Sequence, residues 1–243
     1  MSPARRTDPA AVRLPPDLVG PVDLELAKAV DTIPGENALP GGSRYEPKWD
    51  GFRFSIVRSA GGARLWSRQG KDLTDRFPDI AAAAVRQVPP GVVWDGEVVI
   101  LLDGKLSFDA LQRRLVTAPS KARKLVADVP ASYVAFDVLA AAGVDLRTQR
   151  WTVRRSRLEK LASNWSAGPL QLSPVTDSLD EAQEWFDVLP DAMGIEGLVV
   201  KGAATRYAGG QRGWVKVNSV RVAVLYELTG GTYDQVSSGS HGI

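Results

Sequence analysis

The 243-residue sequence contains no cysteine and a single histidine, His241. The absence of cysteine excludes a disulfide framework, a thiolate zinc site and a cysteine nucleophile. With one histidine close to the C-terminus, neither a Ser–His or Cys–His catalytic pair nor a multi-histidine metal site is expected. If the protein is an enzyme, its chemistry therefore depends on lysine, arginine, aspartate and glutamate.

Long hydrophobic runs are also absent. No stretch approaches the ~18–20 apolar residues that a membrane-spanning helix needs, so no membrane partner is expected. Arg5 and Arg6 near the N-terminus are not followed by an apolar core, and this is not the pattern of a secretory signal. Together with the lack of cysteine, these features indicate a protein of the reducing cytoplasm.

Charge is nearly balanced but unevenly distributed. The 30 Lys and Arg residues and 28 Asp and Glu residues leave a formal charge of +2, and 44% hydrophobic residues are typical of a globular protein with a sizeable core. Basic residues cluster in Lys105–Lys124 and Arg147–Lys160, whereas Asp177–Glu196 is acidic. Such segregation predicts a basic face for a polyanion, and the alternative for each cluster is a solvated helix face.

Helix and strand patterns alternate along the chain. Ser107 is predicted to cap a helix that runs to about Leu115, Ser178 to cap another, and Pro78 to begin a third. Thr152 is predicted to cap a helix with apolar Val153, Leu158 and Leu161 inward and its arginines outward. The predicted strands are Phe52–Arg58, Ala63–Ser67, Val92–Leu101, Tyr133–Leu139, Gly197–Lys201, Trp214–Val217 and Val222–Leu228. Strands in pairs with irregularly inserted helices predict an α+β fold with mainly antiparallel sheets.

The segment Glu46-Pro47-Lys48-Trp49-Asp50-Gly51-Phe52-Arg53 has the most informative spacing in the sequence. It places the Lys48 amine just before an Asp-Gly turn where a strand begins. Taken alone, Lys-x-Asp-Gly is better explained as a surface turn with an exposed lysine. Five further segments in a fixed order change this interpretation.

These segments together resemble the motifs of ATP-dependent DNA ligases, most closely those of small actinobacterial, end-joining-type ligases. Lys48-x-Asp50-Gly51-x-Arg53 is similar to the nucleotidyltransferase motif of that family, and Phe108–Arg114 is similar to a further family segment. The remaining motifs are matched by Ser67-Arg68-Gln69-Gly70-Lys71, Asp95-Gly96-Glu97, Tyr133-Val134-Ala135-Phe136-Asp137, Glu196-Gly197-Leu198-Val199-Val200-Lys201 and Trp214-Val215-Lys216-Val217. The resemblance implies the ATP-grasp-like nucleotidyltransferase fold, with helices flanking the sheets and a central nucleotide cleft.

The resemblance also implies a covalent mechanism at Lys48. Its amine would attack the α-phosphorus of ATP and release pyrophosphate. An amine with the ordinary pKa of ~10.4 is almost fully protonated, so burial and nearby positive charge are needed to keep it neutral. Lys201, Lys216 and a Mg²⁺ (or Mn²⁺) ion are expected to supply that charge, which makes the three lysines the candidate catalytic residues. AMP would then pass to the 5′-phosphate of nicked duplex DNA, and the 3′-hydroxyl would seal the nick.

The same resemblance implies roles for the other candidate binding residues. Phe136 would stack on adenine, and Glu46 would accept a hydrogen bond from the adenine amino group. Glu97 would bind the ribose, and Arg53 and Arg68 would contact ribose and phosphates. In addition, Glu196 is the expected Mg²⁺ contact and Asp50 is expected to orient Lys48, whereas a structural role is at least as well supported for Asp137.

The predicted organisation has three parts: a loose arm over residues 1–20, the nucleotidyltransferase domain over 21–220, and a C-terminal segment and tail over 221–243. The family carries an OB-fold barrel after the catalytic domain, and 25 residues after Asn218 are too few to form one. We expect this chain to be the adenylation domain of a longer ligase, the alternative being a ligase without the barrel. Asn218 also stands where the family usually has a second basic residue.

Two other functions remain open at this point. The lysine-centred motif also resembles RNA ligases and capping guanylyltransferases, although Glu46 and the Phe108–Arg114 run favour a DNA ligase. The basic clusters alternatively indicate a catalytically weak nucleic-acid-binding module. A monomer is expected, with end-joining proteins as candidate partners implied by the resemblance alone.

Overall fold

The computed structural model describes residues 12–219, which form five α-helices and twelve β-strands. The helices are α1 (Pro78–Gln87), α2 (Phe108–Val116), α3 (Pro119–Asp128), α4 (Trp151–Ala162) and α5 (Leu179–Met193). The strands are β1 (Ala27–Ala29), β2 (Ser43–Pro47), β3 (Phe52–Ser59), β4 (Gly62–Ser67), β5 (Val92–Val99), β6 (Leu101–Leu102), β7 (Lys105–Leu106), β8 (Ser132–Ala141), β9 (Val144–Asp145), β10 (Leu170–Leu172), β11 (Gly197–Gly202) and β12 (Trp214–Asn218).

Two sheets carry the fold. The larger has the order β10-β8-β5-β3-β4, with β9 paired to β8, and the smaller has the order β1-β12-β11-β2. The β1/β12 and β10/β8 pairs are parallel, and the other pairs of these sheets are antiparallel. Strands β6 and β7 form a separate hairpin. The predicted α+β class with mainly antiparallel sheets is confirmed.

The larger sheet buries both of its faces. One face packs against α1, α2 and α4 through an apolar cluster that includes Phe54, Ile56, Trp94 and Leu158. The opposite face meets the smaller sheet and the loop before β12, where Phe136 packs with Trp214 and other buried residues. Alternate residues along β3, β5 and β8 therefore point to the helices or to the space between the sheets. That space holds the predicted site residues.

Several local predictions are confirmed. The Ser107 side chain accepts a hydrogen bond from the Ala110 N–H, and Ser178 does the same for Glu181, so both serine residues cap their helices. Pro78 is the first residue of α1. All predicted strands within residues 12–219 are present to within a few residues, whereas Val222–Leu228 lies outside the described residues.

The predicted faces of α4 are confirmed only in part: Leu158 is fully buried and Leu161 packs against the core, but Val153 is exposed and two arginines are buried. The helix begins at Trp151 with Arg150 as its N-cap residue, so Thr152 lies inside the helix and does not cap it. Arg154 is fully buried while Val153 is 41% exposed, the reverse of what was predicted for these two residues. The physical reason is a carboxylate far away in the sequence: Arg154 Nε and Nη2 donate to Asp137 at 2.8 and 2.9 Å, so the pair is buried together.

The segment before residue 21, predicted as part of a loose arm, packs on the domain from residue 12 onward. Leu18 is fully buried in the same cluster as Phe136 and Trp214, and Val12 lies close to the turn glycines Gly91 and Gly143. Residues 1–11 lie outside the described part of the chain. Within residues 12–219, no helix is both long enough and apolar enough to span a membrane.

Candidate active site

Lys48 lies where β2 leaves the smaller sheet. Its N–H donates to the carbonyl of Gly197 at 2.8 Å, and its carbonyl accepts from the N–H of Glu196 at 2.9 Å. This backbone pairing places the Lys48 and Glu196 side chains side by side, and Lys48 Nζ forms an ion pair with the Glu196 carboxylate. The Lys48 side chain is 20% exposed, so it is partly accessible but mostly removed from water.

The surroundings of Lys48 favour its neutral form. Burial lowers the pKa of Lys48 to about 8, and the positive charge of Lys216 on β12 acts in the same direction. The negative charges of Glu97 and Asp50 partly oppose this shift. An amine with this pKa is a competent nucleophile near neutral pH, whereas an exposed lysine is almost entirely protonated.

Glu46 and Lys201 form a buried ion pair between neighbouring strands. The Lys201 ammonium donates to the two Glu46 carboxylate oxygens at 3.0 and 2.9 Å and to the carbonyl of Phe136 at 3.2 Å. Burial raises the pKa of Glu46, and the ammonium opposes that rise. The pairing of β2 with β11 places Arg44, two residues before Glu46, opposite Lys201, so the ion pair spans a diagonal of the sheet.

Two aromatic rings and two cations form one wall of the site. Phe136 and Trp214 meet edge to face with their centroids 5.9 Å apart. Lys201 Nζ lies 4.5 Å from the Phe136 centroid and 4.3 Å from that of Trp214, and the Arg53 guanidinium lies 5.4 and 4.8 Å from the same rings. Cations at these distances are attracted to the ring faces.

Asp95 fixes the orientation of the Arg53 guanidinium. Its Nε and Nη2 donate to the two Asp95 carboxylate oxygens at 3.0 and 2.6 Å, a bidentate arrangement that defines the plane of the guanidinium. Tyr207 also donates its hydroxyl to Asp95, at 2.7 Å. Burial acts to lower the pKa of Arg53, but the charge of Asp95 outweighs it and raises this pKa, so Arg53 remains a cation.

Glu97 and Asp50 add carboxyl groups near Lys48. Glu97 on β5 lies opposite Arg53 on the neighbouring strand β3. Burial raises the pKa of Glu97 to about 8. Burial also raises the pKa of Asp50, against the lowering effect of the Lys48 charge. At Gly51, an added side-chain carbon would stand 2.3 Å from the Val98 carbonyl, so the turn after Lys48 has no room for a larger residue.

The structure brings most of the predicted site residues together. The exception is Arg68, whose side chain is exposed although its N–H donates to the Arg53 carbonyl at 3.2 Å. Asp137 forms a buried ion pair with Arg154, in line with the structural role considered for it. The functional assignments of all these residues stay predictions.

No role was predicted from the sequence for Asp95, Tyr207 or Trp214. Asp95 and Trp214 stand within the quoted motifs, and their positions on strands could have suggested that they face the same space as Arg53. Tyr207 gives no such indication, because it comes from a loop between β11 and β12. Only the three-dimensional structure brings its hydroxyl to Asp95.

Comparison with known proteins identifies the family. A family model described as the ATP dependent DNA ligase domain matches residues 25–218. The chain is 38% identical over 204 residues to DNA ligase C2 of Mycolicibacterium smegmatis, covering 84% of this chain and 55% of that protein. It is 34% identical over 206 residues to DNA ligase C of Mycobacterium tuberculosis, covering 84% and 56%. The chain belongs to the ATP-dependent DNA ligase domain family.

Solved structures agree with this assignment. The ligase domain of M. tuberculosis LigD superposes with a TM-score of 0.58 at 29% identity, covering 79% of this chain and 59% of that one. A mycobacterial DNA ligase D in complex with ATP gives 0.56, with 79% and 60% covered. The predicted resemblance to actinobacterial ligases is confirmed. The chain spans about half the length of the curated relatives it matches.

Proposed function

We propose that this chain is the adenylation core of an ATP-dependent DNA ligase, with Lys48 as its nucleophile. The observation that carries the proposal is the Lys48 amine, held in the cleft between the sheets with its pKa lowered to about 8. Neutral Nζ attacks the α-phosphorus of ATP, the bond from that phosphorus to the bridging oxygen breaks, and pyrophosphate departs. Nζ loses a proton and forms a lysyl-AMP phosphoramidate.

Two further displacements complete the proposed reaction. An oxygen of the 5′-phosphate at a DNA nick attacks the AMP phosphorus, and the N–P bond to Lys48 breaks. The 3′-hydroxyl then attacks the 5′-phosphorus, loses its proton and displaces AMP. The names of the relatives, which are DNA ligases, support nicked duplex DNA as the substrate, and relatives named as LigD end-joining proteins support a role in end joining.

The nucleotide is proposed to bind along the wall of rings and cations. Phe136 offers an apolar ring for adenine, and Glu46 supplies a buried acceptor for the adenine amino group. Glu97 and Arg53 are the proposed ribose and phosphate contacts. Lys201 is paired with Glu46 in this structure. Nucleotide binding therefore requires either that Glu46 accepts hydrogen bonds from both Lys201 and the adenine amino group, or that Lys201 and Glu46 separate.

The residues present fit a Mg²⁺ or Mn²⁺ ion that is held largely by the nucleotide. Within residues 12–219, no group of three or more acidic or histidine side chains is arranged as a closed metal site. Mg²⁺ at phosphate-transfer sites uses one or two carboxylates, and phosphate oxygens and waters complete its coordination. Glu196, beside Lys48, is the proposed protein ligand. When bound, the ion neutralises charge on the phosphates.

The residues of the proposed site lie in one chain. Lys48, Glu196, Glu46, Lys201 and Arg53 all come from the same protomer, so we propose a monomer. The use of DNA and ATP as substrates favours the cytoplasm as the location of the proposed reaction.

Labelling with nucleotides carrying a radioactive α-phosphate tests this function. With ATP and Mg²⁺ the protein should retain the label, and GTP should give little labelling because guanine presents an oxygen to Glu46. Addition of nicked duplex DNA should move the label to the DNA and then to free AMP. Preferential labelling by GTP would indicate a capping-type enzyme. Duplex binding without any covalent label would indicate the nucleic-acid-binding module.

A further inference from the structure

The Asp95 carboxylate is the most enclosed charge of the site. It is fully buried and accepts three hydrogen bonds: two from Arg53 and one from the Tyr207 hydroxyl, at 2.7 Å. A buried carboxylate needs such partners, because an unpaired charge in the interior costs several kcal/mol. The position of Asp95 is therefore set by Tyr207 as well as by Arg53.

The Tyr207 hydroxyl has a defined direction. Its oxygen accepts the Glu25 N–H at 3.0 Å, so its own proton is directed to Asp95. The ring packs edge to face on Trp214 at 5.9 Å, and the Arg154 guanidinium lies 5.6 Å from its centroid. Tyr207 is thus held on both its ring and its hydroxyl.

The loop that carries Tyr207 is clamped to the segment before β1. The Ala208 N–H donates to the Glu25 carboxylate at 3.0 Å, and the Gly210 N–H donates to the Leu24 carbonyl at 3.0 Å. An added side-chain carbon at Gly209 would lie 2.4 Å from the Asp23 carbonyl oxygen, which shows how closely the two segments approach. The hydroxyl therefore projects from a fixed backbone.

Arg53 is connected to Tyr207 through Asp95, which accepts hydrogen bonds from both residues. Two of its three guanidinium nitrogens donate to Asp95, and its Cζ lies 4.8 Å from the Trp214 ring centroid and 5.4 Å from that of Phe136. A guanidinium binds an oxyanion or ribose well only when its orientation is set in advance. The orientation of Arg53 depends on Asp95, and that of Asp95 depends on Tyr207.

We propose that Tyr207 is a positioning residue for nucleotide binding, acting through Asp95 on Arg53. This inference rests on the proposed function and adds a residue from a loop outside the recognised motifs. Tyr207 does not touch the reacting atoms. It keeps the Arg53 fork pre-organised for the nucleotide, so its removal should weaken nucleotide binding more than it slows the chemical step.

The test compares Tyr207→Phe with Tyr133→Phe. Both tyrosines are buried, and the Tyr133 hydroxyl donates to the carbonyls of Phe54 and Trp94 at 3.0 and 3.1 Å, with no hydrogen bond to Asp95 or Arg53. Each substitution removes one hydroxyl and keeps the ring, so similar decreases in thermal stability are expected. Self-adenylation is followed by intact mass over a range of ATP concentrations with Mg²⁺.

Tyr207→Phe should raise the ATP concentration for half-maximal rate about tenfold and leave the maximal rate within about twofold. Tyr133→Phe should change neither. In an Arg53→Lys background, which already lacks the bidentate fork, Tyr207→Phe should have little further effect.

Two results would overturn the inference: equal kinetic effects of the two tyrosine variants, or full additivity of Tyr207→Phe with Arg53→Lys. An unmodified parent protein is a different outcome. It would contradict the proposed function itself, and with it any role of Tyr207 in that reaction.

Discussion

The Lys48 side chain is surrounded by charges of both signs. Burial and Lys216 favour the neutral amine, whereas Glu97 and Asp50 favour the ammonium. The balance gives a pKa of about 8, more than two units below an ordinary lysine. The phosphate charge of a nucleotide would raise this pKa again, so we expect nearby positive charge to be needed to offset the phosphates.

The rate of self-adenylation should therefore depend on pH. The neutral amine is the reactive form, so kcat/KM for ATP should rise about tenfold per pH unit below about 8 and level off above it. Initial rates of AMP–protein formation between pH 6.5 and 9.5 measure this profile at about half-unit steps. A rate that is independent of pH, or that still rises about tenfold per pH unit between about pH 8.5 and 9.5, would contradict the proposed environment of Lys48.

The sequence allowed only part of the site to be predicted. Lys48, Asp50 and Arg53 lie close together in the sequence, so their neighbourhood follows from a single turn and strand. The Glu46–Lys201 ion pair joins residues 155 positions apart, and no local pattern indicates it. The resemblance to a family supplied both residues, but not the fact that they bind each other.

Helix α4 shows how a long-range ion pair overrides local periodicity. Leu158 and Leu161 face the core as their spacing predicted, yet Arg154 is also buried because it pairs with the strand residue Asp137. The helix caps at Ser107 and Ser178 were predictable because their hydrogen bonds close within three residues. Helix α3 was not predicted, since it contains only one fully buried apolar residue, Ala122.

Substitutions at the buried and exposed positions of α4 should have different effects on stability. Arg154→Met leaves Asp137 buried without its partner and should lower the free energy of unfolding by about 3–5 kcal/mol. Val153→Ser changes an exposed side chain and should change it by less than about 0.5 kcal/mol. Urea denaturation of the parent and the two variants measures both values. A larger decrease for Val153→Ser than for Arg154→Met would contradict the burial of Arg154 and the exposure of Val153.

Fewer basic side chains are exposed to a polyanion than the basic clusters in the sequence suggest. Arg114, Arg154 and Arg155 are buried, and Arg114 forms an ion pair with Asp79. What remains exposed in the first basic cluster includes three residues of α3: Lys121, Arg123 and Lys124. The predicted basic face is therefore smaller than the count of Lys and Arg residues indicated.

We expect these three α3 residues to contribute to duplex DNA binding through phosphate interactions. Replacing all three with glutamine should weaken binding and reduce the slope of log K against log salt by about one unit for each phosphate interaction that is removed. Glu181→Gln with Glu184→Gln on the acidic helix α5 is the control and should leave the slope unchanged. Titrations of a nicked duplex at several salt concentrations give these slopes. If the α3 variant kept the parental slope, the α3 surface would not bind DNA.

The packing of the two sheets against each other is what creates the site. Lys48 directly follows β2 of the smaller sheet, whereas Phe136 and Arg53 lie on β8 and β3 of the larger sheet. Neither sheet alone therefore contains all three residues. The paired-strand pattern predicted the α+β class, but not which faces of the two sheets would meet. That arrangement results from contacts between residues far apart in the sequence, such as Phe136 with Trp214.

Intact mass measurement after incubation with ATP and Mg²⁺ tests the central claim most directly. The parent protein should gain the mass of one AMP, and hydroxylamine or acid should release it as expected for a phosphoramidate. Lys48→Ala should gain nothing, while Lys71→Ala, which removes an exposed lysine elsewhere, should gain the same mass as the parent. An adduct on Lys48→Ala, or none on the parent, would contradict the assignment of Lys48 as the nucleophile.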